Sequence, residues 1–201
     1  MNQNWKIMLQ SDFPFMRQNH GEEEKNIYRR YGFQCSGGWY QLLRDCCEAI
    51  TARYAQDGIG PEDIDLVPAQ IKEKFGTLRF YYGYEDAPCG IAAFDSLNGG
   101  VSMRFEPGND GDDDATKKRR RDIAEIIRAA EERSRTTCEF CGAPGVLRDD
   151  REAGIFRVQT LCDACREKRI EYTKAARRKR AEPVEEIRRK LAGKAKGDCE
   201  D

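Results

Sequence analysis

Histidine is almost missing from this chain: His20 is the only one in 201 residues. That scarcity excludes whole classes of metal chemistry. A zinc deaminase needs H-x-E together with P-C-x-x-C. Here Pro88 and Cys89 are followed by Ala92 where the second cysteine belongs, and H-x-E does not occur. A histidine-metal nuclease built on a zinc ribbon needs histidines within the ribbon, and His20 lies far from every C-x-x-C pair. No Ser-His-Asp set, P-loop or Gly-rich phosphate cradle is present. Long apolar runs are missing too. None approaches the ~18 residues of a membrane-spanning helix, and the start "MNQNWKIMLQSDFPF" lacks the charged and apolar regions of a secretory signal. The expectation is a protein of the reducing cytosol, where cysteines stay as thiols, bind metal or do chemistry. Net charge is absent as well, with 35 basic and 36 acidic residues, and no internal repeat is visible.

The charges that are present are unevenly spread. Residues 1–105 hold 11 basic and 14 acidic side chains. The segment "EPGNDGDDD" at 106–114 is acidic only, and "KKRRR" at 117–121 reverses the sign. Between Arg166 and Arg180 eight basic residues face two acidic ones. A polyanion-binding surface therefore belongs in the C-terminal half.

The hydrophobic pattern predicts an α+β fold. In "GGWYQLLRDCCEAITARYAQDG", Trp39, Leu43, Cys46, Cys47, Ile50 and Tyr54 recur at helical spacing, and Gly58, Gly60 and Pro61 end the run. "AQIKEKFGTLRFYYG" predicts a β-hairpin turning at Gly76, with Leu78, Phe80 and Tyr82 alternating with Thr77, Arg79 and Tyr81. A further strand is expected over Val101 to Phe105, after an Asn98-Gly99-Gly100 turn. The chain divides into an α+β scaffold at 1–105, a charged linker at 106–121, a linking helix at 122–135, a ribbon at 136–167 and a basic helical tail at 168–201. The linking helix has two candidate starts. Asp122 with Glu125 resembles a capping box and would leave "KKRRR" as a mobile arm. A start near Asp114 suits the helix formers in the run, although it puts five cations in the first two turns against the helix dipole. In the tail, a helix after Cys165 is expected to run to about Ala181, to be interrupted by Pro183, and to resume from Glu185 to Leu191.

Nine cysteines are the main chemical signal. Cys138-x2-Cys141 is followed twenty residues later by Cys162-x2-Cys165, a recognised metal spacing. A two-residue gap lets one tight turn present two sulfurs to one ion, and Gly142 permits the positive φ that such turns use. "GVLR" and "IFRVQTLC" are expected strands around the loop "DDREAG", so the two pairs meet at the ends of a hairpin. A segment this short cannot build a self-supporting core, and a bound zinc contributes on the order of 10–16 kcal/mol to such a fold. The expected cofactor is one structural Zn2+ held by Cys138, Cys141, Cys162 and Cys165. Arg148, Arg157 and Arg166 stand close in sequence to offset the charge of four thiolates. Iron in the same site, a redox dithiol and four unrelated thiols are the other readings. Four sulfurs leave no open coordination position, so the site reads as structural rather than catalytic.

Cys35, Cys46, Cys47, Cys89 and Cys199 lack ligand spacing. Cys46 and Cys47 read as core thiols, with a second metal site from His20, Cys35 and Cys46 as the alternative. His20 and the neighbouring Glu22, Glu23, Glu24 and Lys25 read as surface.

Four stretches together, "GFQCSGGWYQLL" at 32–43, "IKEKFGTLRFYY" at 71–82, "SRTTCEFCGAPG" at 134–145 and "TLCDAC" at 160–165, resemble a group of uncharacterised small bacteriophage and prophage proteins. Members combine a G-[FW]-x-C-x-x-G-W segment, a K-E-K-F-G-x-L-R-F-Y hairpin and a C-terminal zinc ribbon, often with histidine where this chain has Cys165. The resemblance implies a phage-encoded protein acting in the cytosol of an infected bacterium and brings no activity with it. The charged linker and the basic tail are additions to that pattern.

In the hairpin, Lys72, Lys74 and Arg79 with Phe75, Tyr81 and Tyr82 suit either nucleic-acid contact or, as the preferred reading, a core of aromatics with charges in water. "REKRIEYTKAARRKR" is polar all round as a helix, which means either solvation or a charged partner. The leading expectation is a non-enzymatic protein that binds nucleic acid through this helix. Its candidate contacts are Lys168, Arg169, Lys174, Arg177, Arg178, Lys179 and Arg180, with Lys117, Lys118, Arg119, Arg120 and Arg121 as an auxiliary arm. The rivals are a module that inhibits or redirects a host protein, and an enzyme with a site in residues 1–105.

Overall fold

Residues 4–19, 26–88 and 107–197 are described by a computed structural model. The expected Val101–Phe105 strand, His20, the Glu22–Lys25 patch, Cys89 and Cys199 lie outside the described residues. The element order is mixed helix and strand, as the patterning predicts. Helices α1 (Asn4–Asp12) and α2 (Ile27–Tyr31) precede a short strand β1 (Phe33–Gln34). Helix α3 (Tyr40–Gln56), the hairpin β2 (Leu66–Lys74) and β3 (Thr77–Tyr84), and helix α4 (Asp114–Ser134) complete the scaffold. Strands β4 (Val146–Arg148) and β5 (Gln159–Leu161) form a second, two-stranded sheet before helix α5 (Asp163–Gly197).

The amphipathic run becomes α3, and its apolar face is buried as expected: Leu43, Cys47, Ile50 and Tyr54 are fully enclosed. Burial pushes the Cys46 thiol up to about 12 and that of Cys47 well above its ordinary value, which is the behaviour of packed core thiols. Three strands form the sheet in the order β1-β2-β3, β1 parallel and β3 antiparallel to β2. Pro68 sits at a bulge between Pro68 and Gln70, where its missing N–H interrupts the ladder at little cost. Ile71, Leu78 and Phe80 point from the sheet into the same core, and Ile123 and Ile127 close it from α4.

Helix α4 starts at Asp114, the earlier of the two candidate positions, so the charged linker ends at Asp113 rather than at 121. Asp113 caps it, accepting a hydrogen bond from Thr116 N at 2.7 Å. Five cations near a helix start are tolerated because carboxylates meet most of them. Arg120 is 7% exposed and pairs with Asp112 and Asp86, both at 2.6 Å. It also lies over the Tyr84 ring at 4.2 Å. Arg119 reaches Asp57 at 2.8 Å, and Lys118 reaches Asp122, which in turn binds Arg53 at 2.6 Å. The basic run is thus a staple onto the scaffold rather than a mobile arm.

An exposed edge strand invites unwanted pairing, and α4 covers this one. Its Ser134 Oγ accepts from Leu78 N at 2.8 Å, and its Glu131 Oε1 accepts from Phe80 N at 2.7 Å. Ser134 is fully buried. Ser134→Ala leaves the Leu78 amide without an acceptor and is expected to lower stability by about 1–3 kcal/mol. Denaturant unfolding measures this, and a loss under about 0.5 kcal/mol would show the edge is satisfied otherwise.

Helix α5 departs from the expectation at both ends. It begins at Asp163, between the two cysteines of the second pair, and passes through Pro183 without a break. Proline removes one amide donor, but its neighbours Ala181, Glu182, Glu185 and Glu186 are good helix formers that carry the helix past it.

Candidate metal centre

The first cysteine pair follows directly on α4. Gly142 N donates to Cys138 O at 2.9 Å and Cys138 N donates to Ala143 O at 2.8 Å, closing a tight knuckle. Gly142 takes φ +79 in it, as the sequence requires. The second pair straddles the start of α5, with Cys162 just ahead of the helix and Cys165 in its first turn. Pairing of Val146 with Leu161 in the β4–β5 ladder brings the two knuckles together. The four Sγ atoms lie within 4.8 Å of one another, and Cys141 Sγ is 3.6 Å from Cys162 Sγ. That separation is far longer than a disulfide and short enough for all four sulfurs to share one ion. Among the described residues no other group of three or more metal-ligating side chains converges, so Cys35 and Cys46 form no second site with each other and a described ligand.

The charge of this sulfur cluster is met mainly by backbone rather than by arginine. The Cys165 N–H donates to the Cys162 sulfur and pulls that thiol down to about 7. The geometry is that of an N-cap, where helix amides and dipole favour a thiolate. The Ala143 N–H donates to the Cys141 sulfur in the same way, but burial and the neighbouring Cys162 and Cys138 sulfurs outweigh it and hold that thiol above its ordinary value. Burial and neighbouring sulfurs push Cys165 strongly upward, because thiolates this close cannot all ionise without a cation between them. The three arginines expected to offset the sulfurs are engaged elsewhere: Arg148 with Asp163, Arg157 with Glu73, and Arg166 with Asp150.

The knuckle does not stand alone, and this is what the spacing of cysteines could not reveal. Gly38 N donates to Glu139 O at 2.8 Å, and Trp39 Nε1 donates to Thr137 O at 2.9 Å. The Glu139 carboxylate is 1% exposed. It accepts from Ser36 N and Ser36 Oγ at 3.2 and 3.1 Å, and from Gln159 Nε2. A buried carboxylate is sustained only by such donors. On the other side, Thr160 Oγ1 donates to Gly76 O at 2.7 Å, and Arg157 Nε donates to Glu73 Oε2 at 2.8 Å. The "CSGGW" segment and the "KFG" hairpin tip thus form the seat of the ribbon. The sequence carries a signal for the seat only in its paired glycines. Ser36 and Glu139 are 103 residues apart, and no local pattern links them.

The basic helix also has a face that the sequence concealed. Arg166 donates twice to Asp150, Arg169 donates to Arg157 O at 3.0 Å, and Arg177 donates to Gly154 O at 2.9 Å. Together with Ile170 and Thr173 these residues follow the helical repeat and lie along the ribbon loop 150–157. The cations on the opposite face are Lys168, Lys174, Arg178 and Lys179, all exposed; Arg180 is exposed too but follows the repeat of the ribbon-facing residues. Of the second candidate group, Lys117, Lys118 and Arg121 are exposed, whereas Arg119 and Arg120 are taken up by carboxylates and leave the set of phosphate contacts.

Four cysteines thus converge closely enough to hold one metal ion, in a knuckle seated on an α+β scaffold at the start of a long helix. No protein family, curated protein or solved structure matches the chain. Among the described residues no helix is long and apolar enough to cross a membrane.

Proposed function

We propose that this is a non-enzymatic zinc protein that binds nucleic acid through the outward face of α5, in the cytosol of a phage-infected bacterium. Zinc suits the donor set: bonds of about 2.3 Å to four tetrahedral sulfurs place them roughly 3.8 Å apart, close to the 3.6 Å between Cys141 and Cys162. The metal would be held by Cys138, Cys141, Cys162 and Cys165 and would tie the two knuckles together. The observation that carries the nucleic-acid reading is the origin of α5 inside the second knuckle. The ribbon loop holds one face of the helix through Arg166, Arg169 and Arg177, which leaves Lys168, Lys174, Arg178 and Lys179 turned to solvent on the other. Phosphates are the partner that such a row of cations fits.

Each phosphate neutralised releases counterions, so about four contacts give a slope near −3 to −4 in log affinity against log salt. A flat salt response removes the reading. A second reading, a module that inhibits or redirects a host protein, is favoured by the exposure of Phe156 (79%) and Tyr172 (77%) on the ribbon loop and α5. Affinity capture with and without nuclease separates the two: partners released by nuclease support the first, partners retained support the second.

A further inference from the structure

Phe156 on the ribbon loop and Tyr172 on α5 are the two most exposed large apolar side chains among the described residues. They belong to one region of the fold. Phe156 directly precedes Arg157, whose carbonyl accepts from Arg169 Nη2 at 3.0 Å. Arg169 lies one turn before Tyr172 on the helix. Among the described residues neither ring packs on another ring or a cation.

The surroundings of the rings decide what they fit. Successive helix residues turn by about 100°. With Arg166, Arg169 and Arg177 held against the loop, the rest of α5 as far as Lys179 divides into two flanks. Lys174 and Arg178 share one flank with the carboxylates of Glu167 and Glu171. Lys168, Tyr172 and Lys179 follow the helical repeat along the other, and no acidic residue between Asp163 and Lys179 falls among them. Helix side chains lean toward the N-terminus. The turn after Tyr172 supplies only Ala175 and Ala176, so nothing larger than a methyl group leans onto its ring. Lys168 and Lys179 have no carboxylate partner among the described side chains. The flank thus carries an uncovered ring with a cation on either side, and Phe156 adds a second ring from the loop.

We propose that this flank binds single-stranded nucleic acid, with unpaired bases stacking on Tyr172 and Phe156 and phosphates meeting Lys168 and Lys179. The inference rests on the nucleic-acid reading of α5 given above and names the strand state that the helix selects. Every base has a π-face, and a ring flanked by cations fits a base together with its neighbouring phosphates. The two lysines stand about 16 Å apart along the helix axis, room for the few nucleotides of a single-strand site. A duplex keeps its base faces stacked within itself, so the rings gain nothing from it and only the lysines contribute. Charge complementarity favours this occupant over a protein: an apolar partner surface would cover the same rings but strip water from two ammonium groups.

The test uses the full chain made in zinc-replete cells. Fluorescence anisotropy compares a labelled thymidine oligonucleotide of about 12 nucleotides, a length suited to a single-strand site, with a hairpin duplex of equal charge. The single strand is expected to bind more tightly. Tyr172→Ala should weaken single-strand binding about tenfold and leave duplex binding unchanged, and Phe156→Ala should act in the same direction. Both side chains are exposed, so the thermal midpoint should stay within about 2 °C of the parent. Tyr172→Phe keeps the stacking face and should bind within about twofold of the parent. A loss in Tyr172→Phe as large as in Tyr172→Ala would place the contact in the hydroxyl and overturn the stacking. Lys168→Gln with Lys179→Gln is expected to reduce the single-strand salt slope by about one to two. Equal binding of the two probes, or unchanged single-strand binding in Tyr172→Ala, overturns the inference while the nucleic-acid reading of α5 stands. A nuclease-resistant protein partner lost on Tyr172→Ala overturns it in favour of the host-protein reading. If the chain binds neither probe, the reading of α5 falls and this inference with it.

Discussion

Serine at both Cys138 and Cys162 leaves the ribbon, from Thr136 to Leu161, without stable structure, and frees α5 from the scaffold. The expectation rests on how little else holds this segment. Of its apolar side chains only Cys138, Ile155 and Leu161 are buried, while Val146, Leu147 and Phe156 are more than half exposed. Three apolar groups cannot offset the ordering of some twenty-five residues at about 1–2 kcal/mol each. The hydrogen bonds to Ser36, Gly38 and Gly76 form only once the knuckle exists. A structural zinc supplies on the order of 10–16 kcal/mol in such settings, so removing two of its four sulfurs is the largest perturbation available to this protein. Amide hydrogen exchange across 136–161, with metal analysis of protein made in zinc-replete cells, measures the effect. Protection equal to the parent chain, or the absence of stoichiometric metal in the parent, would overturn the metal assignment. Because the scaffold keeps its own core, α3 and β2–β3 should retain most of their protection in the same experiment.

Gly38→Ala is expected to separate the ribbon from the scaffold while leaving the metal bound. A Cβ at position 38 would stand 2.5 Å from Cys141 N and Glu139 O, and closer still to Cys138 O. All three are backbone atoms of the knuckle, so no side chain can rotate away. Either the knuckle moves, losing the Gly38–Glu139 and Trp39–Thr137 hydrogen bonds and exposing the Glu139 carboxylate, or the clash remains. Overpacking usually costs 1–3 kcal/mol, and here the loss should be at least about 3 kcal/mol. The variant should carry its full complement of metal yet show a lower unfolding midpoint and faster exchange at Ser36 and Trp39. A midpoint within about 1 °C of the parent, where even 1 kcal/mol shifts it by about 2–4 °C, would mean the ribbon is not seated as described.

These two outcomes separate what is local from what is not. Local signals sufficed for the apolar face of α3, for the hairpin that turns at Gly76, and for the two C-x-x-C pairs joined through β4 and β5. In each, the physics acts over neighbouring residues: a helical or alternating repeat, a positive φ, a tight turn holding two sulfurs. Where two local tendencies competed, sequence reasoning was less secure. The start of α4 at Asp114 became clear only with Asp57, Asp86 and Asp112 placed around Arg119 and Arg120. The passage of α5 through Pro183 depended on the weight of its helix-forming neighbours.

The sequence alone determined that this chain is α+β and carries four cysteines at a metal-binding spacing. Tertiary structure decided that the cysteine knuckle sits on the "CSGGW" segment and the hairpin tip, that Glu139 is buried between them, and that Arg166 and Arg169 turn to the ribbon loop instead of to water. The reason lies in the range of the forces involved. Ligand spacing and hydrophobic periodicity are written within a few turns of chain, whereas a buried carboxylate or a paired arginine is defined by partners up to a hundred residues away, and only folding brings them into contact.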